Sequence, residues 1–394
     1  MREYKYLIIG GGMTADAAVQ GIREVDGAGS LGLISAETDQ PYNRPPLTKG
    51  LWKGEPMESV WRHTPEHRAE LHLGRMARTI DVAAKTITDD QNEAYRYEKL
   101  LLATGGRPRR LPFTSERIIY FRTLADYRRL RALSDAHQRF VVIGGGFIGS
   151  ELATALAMNK KQVTMIFPGN GLCARMFPAD LSRFLNGFYR QKGVEVLAGE
   201  SVSGVESRGE EVIVKTQSQR EIVADAVVAG LGIELNLDLA RAAGVQIEEG
   251  VVIDEVLRTS KPDIYAAGDV ASFFSPALGK RLRVEHEDNA NTMGRLAGRN
   301  MAGKSEPYHH LPFFYSDLFE LGYEAVGELD AGLDTVADWK EPFREGVVYY
   351  QRQGRVRGVL LWNVWEQVDA ARELIAEDRP FRAEDLKARL PKAA

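Results

Sequence analysis

The sequence predicts an α/β chain in which two Rossmann-like dinucleotide-binding domains are nested, the second inserted in the first, with a C-terminal α+β domain. Two glycine runs carry that expectation, Gly10-Gly11-Gly12 and Gly144-Gly145-Gly146, each closing a short apolar strand and opening an apolar, helix-compatible stretch. Strand-then-glycine patterns also recur at residues 99–106 and 263–269. In each run the first glycine, Gly10 or Gly144, permits a tight turn, and Gly12 or Gly146 lets the backbone approach a pyrophosphate. The small third position, Ala15 or Gly149, lets helix and strand pack closely. The new helix then offers N–H groups and the positive end of its dipole to phosphates. Met13 and Thr14 in the first run, and Phe147 and Ile148 in the second, fall within that cradle. One such turn binds one dinucleotide, so two imply that one dinucleotide hands electrons to another.

At 394 residues, with 44% hydrophobic and 27% charged residues, the chain has the make-up of a globular protein of two or three domains. A net charge of −4 gives no global attraction to nucleic acid, and none is expected as partner. The basic stretches at residues 107–110 and 128–131 read as a solvated loop and helix face, or as a docking patch for an acidic protein. Cys173 is the sole cysteine, which excludes an internal disulfide, a Cys-x-x-Cys redox pair and a cysteine-bound zinc site. It is expected to be a small apolar filler, and no metal site is expected. The first strand, expected from about residue 4, leaves no room for a targeting leader. No apolar run approaches the roughly 18 residues of a membrane span. The expectation is a cytoplasmic protein.

In chain order, the first glycine turn leads to a helix and a second strand at residues 30–35, the start of a right-handed βαβ unit. Glu37 comes next, where a carboxylate would accept hydrogen bonds from an adenosine ribose. Residues 40–49 carry three prolines and exclude regular helix or central strand, while stiffening the loop that bears Arg44 and Lys49. The strand near residues 99–103 ends at Ala103-Thr104-Gly105, and Pro108 and Pro112 mark a crossover. A second βαβ pattern begins at Phe140, with short strands at residues 194–228. The strand at residues 263–267 ends in Gly268-Asp269, closing the interrupted first domain. Beyond Leu311 come aromatic clusters, a hairpin at residues 346–364 turning near Gln353-Gly354, and a helix at about residues 366–377. The expected divisions are 1–113 and 237–310 for the first domain, 114–236 for the second and 311–394 for the last.

The order of glycine fingerprint, Ala103-Thr104-Gly105, second fingerprint and Ala267-Gly268-Asp269 resembles the flavin-dependent, pyridine-nucleotide-linked reductases over nearly the whole chain. The disulfide-reducing branch is excluded, because the stretch matching its cysteine pair contains none. Residues 41–52, Arg283-Val284-Glu285-His286 with residues 294–301, and residues 314–318 with 322–325 are similar to the branch holding apoptosis-inducing factor and the ferredoxin or rubredoxin reductases.

That resemblance implies FAD on the first fingerprint with Glu37, Arg44 and Asp269, and NAD(P)H on the second with Gly232. It implies that Lys49 reaches the flavin N5 edge and pairs with Glu151, where a cation stabilises charge on the reduced ring, or else the two form an ordinary interdomain ion pair. Phe147 corresponds to a nicotinamide gate, or else packs helix on sheet. Glu285 and His286 would open a helix aimed at the N1–O2 edge, or His286 is a plain cap or core residue; Asp269 contacts the flavin's ribityl or phosphate portion, caps the helix that follows, or does both. Tyr315 stands where the pattern of apoptosis-inducing factor has tryptophan, a place from which it would shield the ring or relay electrons, although the departure from tryptophan weakens the relay.

After the strand at residues 162–167, Gly169 occupies the place of the related pattern's glutamate. Asn170 can bond a ribose hydroxyl without repelling phosphate, and Arg175 suits either cofactor. NAD(H) is favoured, with NADP(H) possible. The implied activity is an NAD(P)H oxidoreductase passing electrons to a ferredoxin or rubredoxin-type carrier, to oxygen or to a quinone. The alternative is a sensor that forms a charge-transfer complex with NADH and regulates its own homodimerisation or partner binding.

Overall fold

The computed structural model describes residues 1–390. The chain divides into two compact units, one built from Met1–Arg44, Met57–Arg107 and Glu234–Pro312, the other from Pro45–Pro56, Pro108–Ile233 and the chain from Phe313 onward.

In the first unit, strands Glu70–Leu73, Leu31–Ser35, Arg2–Ile9 and Ala94–Leu102 lie side by side in that order, all parallel. The first strand starts at Arg2, earlier than expected, with exposed residues alternating until Tyr6; from there to Ile9 every side chain is buried. That change of pattern is what a parallel strand shows where both faces become covered. Strand Ala94–Leu102 is also longer than expected. Its first half alternates buried Tyr95 and Tyr97 with exposed Arg96 and Glu98 and pairs with antiparallel Thr86–Asp89. Its apolar second half pairs in parallel with Ile264–Ala266.

Two helices, Met13–Val25 and Glu287–Met301, cross with their backbones in contact. A Cβ on Gly21 would lie 2.0 Å from the Arg295 carbonyl oxygen, one on Gly298 2.1 Å from that of Ala18, and one on Gly294 2.4 Å from that of Thr14. Any side chain at these positions forces the helices apart.

The second unit holds a parallel sheet of strands Val194–Ala198, Gln162–Phe167, Arg139–Ile143, Ala226–Ala229 and Ile118–Tyr120, in that order. Antiparallel strands Val202–Arg208, Glu211–Thr216 and Glu221–Ala224 form a separate small sheet. The chain from Phe313 forms a five-stranded antiparallel sheet with helices Val368–Ala376 and Ala383–Leu386. The predicted hairpin joins Glu345–Arg352 to Arg355–Trp362, and Gln353 (φ 53°) with Gly354 (φ 77°) make its two-residue turn. Trp362 stacks on Tyr323 at 5.6 Å, and Phe177 meets both rings edge-on.

The proline-rich segment forms two short 3-10 turns, Pro45–Leu47 and Gly50–Lys53. Within the second unit it is anchored by Trp52, whose Nε1 donates to the Leu47 carbonyl at 2.9 Å. The Trp52 ring meets Tyr127 edge-on, and its carbonyl accepts from Asn159 Nδ2 at 3.1 Å.

Candidate functional site

In the first unit, Gly10 has φ 130°, and a Cβ there would sit 2.0 Å from the Ala103 carbonyl oxygen. Only glycine fits, because the turn and the neighbouring strand end both require it. Gly12 differs, since a Cβ would meet nothing nearer than Arg44 Nη2 at 3.9 Å. Its bareness serves no neighbour inside the protein and leaves room for an outside group to reach the backbone. Ala15 is fully buried. Thr14 packs against Gly268 (φ 76°), whose Cβ would lie 2.3 Å from Thr14 Oγ1. Thr104 Oγ1 donates to the Asn236 carbonyl at 2.7 Å and Asn236 Nδ2 donates back at 2.9 Å, fixing the strand end before Gly105 (φ 58°).

Both oxygens of Glu37 are held. Tyr42 donates to Oε2 at 2.6 Å and Arg44 Nη2 to Oε1 at 2.5 Å, leaving each oxygen a further lone pair. Burial opposes the charge on Arg44, but Tyr42, Glu37 and Asp269 outweigh it and its pKa is raised. Asp269 sits inside the short turn Gly268–Val270, whose N-cap is Ala267, so the capping alternative falls away. The later helix begins at Glu287, with His286 as its N-cap through backbone alone and exposed Glu285 outside it, paired with Arg283. That corrects the expectation that Glu285 opens the helix, whereas for His286 the structure shows the plain-cap alternative. Glu287 and Asp288 fill its first turn, where carboxylates offset the positive dipole end.

The second unit repeats the glycine logic. Gly144 has φ 122° and a Cβ would lie 2.3 Å from the Gly230 carbonyl oxygen, whereas Gly146 faces open space for at least 4 Å. At Gly149 a Cβ would lie 2.0 Å from the Gly144 carbonyl oxygen, so alanine, tolerated at residue 15, is excluded here. Gly232, at φ 80°, also has open space around it.

One turn inside the helix Phe147–Met158 stands Glu151, 5% exposed. It accepts from Lys49 Nζ, from Thr48 Oγ1 at 2.5 Å and from Ser316 Oγ at 2.6 Å. The predicted Lys49–Glu151 pair is therefore present, and Lys49 Nζ also lies 5.1 Å from the centre of the half-exposed Tyr315 ring. Thr48 and Ser316 are the site residues that sequence reasoning missed. Their only signal was adjacency, each lying beside a named residue in sequence. Phe147 is half-buried and packs edge-on against Phe314 at 5.4 Å, on the C-terminal sheet rather than on its own. Ile148 is exposed beside it. Asn170 and Arg175 are exposed in the segment after strand Gln162–Phe167.

Cys173 is buried and its thiol pKa is pushed up to about 12, chiefly by burial. A thiol so protonated is a poor nucleophile. The fold therefore gains from neutral Cys173 in full below its ordinary value near 9 and loses that gain as pH climbs toward 12. Urea midpoints are expected to fall between roughly pH 8.5 and roughly pH 10.5, and to fall less in Cys173→Ala. Equal falls in both proteins would remove Cys173 from the account.

Two glycine turns open at Gly12 and Gly146, and a buried pair between Lys49 and Glu151 of the second helix, define an oxidoreductase linked to pyridine nucleotides. The chain belongs to the pyridine nucleotide–disulphide oxidoreductase family, whose model matches residues 4–294. The C-terminal domain of mitochondrion-associated apoptosis-inducing factor matches residues 297–342 and 337–377. Similar proteins include apoptosis-inducing factor 1 of Dictyostelium discoideum, 34% identical over 98% of this chain and 80% of that protein. Putidaredoxin reductase CamA of Pseudomonas putida is 31% identical over 95% and 92%. The structure is similar to the reductase in the covalent putidaredoxin reductase–putidaredoxin complex, with TM-score 0.90, 30% identity and coverage of 98% and 95%. It is also similar to a ferredoxin reductase from Rhodopseudomonas palustris, with TM-score 0.88, 28% identity and coverage of 97% and 96%. Among the described residues, no helix is long and apolar enough to cross a membrane.

Proposed function

We propose that the chain is an FAD-bound NAD(P)H oxidoreductase that delivers electrons one at a time to a small iron–sulfur or rubredoxin-type carrier in the cytoplasm. The observation that carries this reading is the open space at Gly12 and Gly146 in otherwise crowded turns, room that fits a pyrophosphate at each. Gly10, Gly12, Thr14, Glu37, Arg44, Thr104 and Asp269 would hold FAD in segments 1–113 and 237–310. Gly144, Gly146, Gly149 and Gly232 would hold the pyridine nucleotide in segment 114–236, with residues 311–394 contributing Ser316. Bound FAD supplies the conversion of a two-electron donor's hydride into single electrons.

The chain's own residues supply charge and position. Lys49 presents a fixed ammonium, and Glu151, Thr48 and Ser316 hold it where a lysine tail would otherwise move. The carrier role draws support from the putidaredoxin and ferredoxin reductases among the similar proteins. Purified protein should be yellow, bleach anaerobically with NADH or NADPH, and reoxidise far faster with a ferredoxin or rubredoxin than in air. Colourless, correctly folded protein that takes up no added FAD would reject the reading.

The match to the C-terminal domain of apoptosis-inducing factor favours a second reading, a slow redox sensor. There, NADH would leave a persistent long-wavelength absorbance, shift the sedimentation toward a homodimer, and give no rapid delivery to any carrier.

A further inference from the structure

The basic stretches at residues 107–110 and 128–131 have no part in the site described above. Some of their charge is spent locally, for Arg107 pairs with Glu234 at 3.3 Å and Arg131 with Asp135 at 3.2 Å. Arg110 and Arg129, one from each stretch, instead line a single cavity of about 840 Å³ in the second unit, together with Arg117. That volume falls among those of small-molecule pockets, roughly 300–1,000 Å³.

All three arginines are exposed, and each is steadied by neutral partners. The Arg110 guanidinium lies 5.1 Å from the centre of the Tyr120 ring, and the Tyr120 hydroxyl accepts from the Leu111 N–H at 3.2 Å. Arg117 donates through Nε to Ser207 Oγ at 3.2 Å and through Nη2 to the Gly209 carbonyl at 3.3 Å. Arg129 Nη2 donates to the Glu116 carbonyl at 2.8 Å, tying helix Leu124–Ala136 to the turn before strand Ile118–Tyr120. Among the described residues, no carboxylate pairs with any of the three. A guanidinium carries more N–H donors than these contacts use, so they orient each group and leave its charge for a ligand.

Two carboxylates share the lining. Asp126 is engaged as part of a helix cap: its Oδ2 accepts from the Thr123 N–H and Oγ1, both at 2.8 Å, and from the Arg122 N–H at 3.0 Å. Glu116 is exposed and gives Arg129 its carbonyl, so its carboxylate is the charge that opposes an anion here.

We infer that this cavity binds a small anion bearing two or more oxyanion groups, phosphate or carboxylate, with Arg110, Arg117 and Arg129 as its ligands. An arginine fork takes two oxygens of one such group, and three forks around one space match several groups on a compact skeleton. The sequence left open a docking patch for an acidic protein; a concave site of this size favours a small molecule instead. None of these residues belongs to either glycine turn, so the site stands or falls apart from the oxidoreductase reading.

The test is calorimetric titration of the flavin-loaded protein, saturated with NAD to fill the second glycine turn, with citrate, inorganic tripolyphosphate and acetate at constant ionic strength. Citrate or tripolyphosphate should bind at least about thirtyfold tighter than acetate, and the tighter of the two separates a polycarboxylate from a phosphorylated ligand. Arg110→Gln combined with Arg129→Gln should weaken that binding about tenfold or more, with the melting temperature within about 3 °C of native. Glu116→Gln keeps the carbonyl and removes the opposing charge, so it should tighten binding about twofold to threefold.

Failure of both polyvalent anions to bind, or binding that the double variant leaves unchanged, would overturn the inference. So would a native protein that ignores both small anions yet captures a polyglutamate peptide through the same arginines.

Discussion

Lys49→Met is expected to cost about 3–5 kcal/mol of stability, because it strands a buried carboxylate, and to abolish most turnover. Glu151 is 5% exposed and Lys49 14%, so water can neither screen the pair well nor replace the lost ammonium. Thr48 and Ser316 would still donate to Glu151, but two hydroxyls do not neutralise its charge. The double variant Lys49→Met with Glu151→Gln removes both charges and should regain at least half of the stability while staying inactive. That separation is the useful one: stability follows charge balance, whereas catalysis follows the ammonium itself. Urea denaturation and NADPH-driven ferricyanide reduction measure the two quantities. A single variant within about 0.5 kcal/mol of the native protein would mean that the pair is solvated, as exposed pairs are.

The second large effect divides glycines that look alike in the sequence. Gly10→Ala is expected to destabilise the first unit by about 3 kcal/mol or more, since the methyl group is driven into a carbonyl oxygen from a left-handed backbone. Gly12→Val should leave the flavin-free fold within about 0.5 kcal/mol of native, because its backbone (φ −93°, ψ −170°) suits any residue and its surroundings are open. The same valine should cut bound FAD to about a tenth or less, by blocking the backbone from the phosphates. The ratio of flavin absorbance to protein absorbance, set beside the denaturation midpoint, reads both. Full flavin content in Gly12→Val would show that the gap at residue 12 is not where phosphate lies.

The nested α/β architecture was legible because its signals are local. A glycine run after four apolar residues announces itself without knowledge of the rest of the chain, and so does the Gln353-Gly354 hairpin turn. The Lys49–Glu151 pair was legible only through family likeness, since 102 positions separate its members and no short pattern joins them. Thr48 and Ser316 were not legible even so. A hydroxyl becomes a ligand of Glu151 only when folding brings it there, and serine and threonine are too common to mark themselves. The helix start was misread by two residues for a similar reason: Glu285 and Glu287 are alike on paper, and only backbone geometry makes His286 the cap.

The bare crossing of helices Met13–Val25 and Glu287–Met301 bears on how the protein is made. A ribosome releases the first helix early, yet the surface it must touch emerges only as Met301 is added. Throughout that interval Gly21 and its apolar neighbours have no covering, and strand Ala94–Leu102 lacks its partner Ile264–Ala266. The inserted unit, by contrast, has its whole parallel sheet in hand once Ala229 has emerged. Co-translational assembly should therefore run inside out, with the interrupted unit completing its fold last.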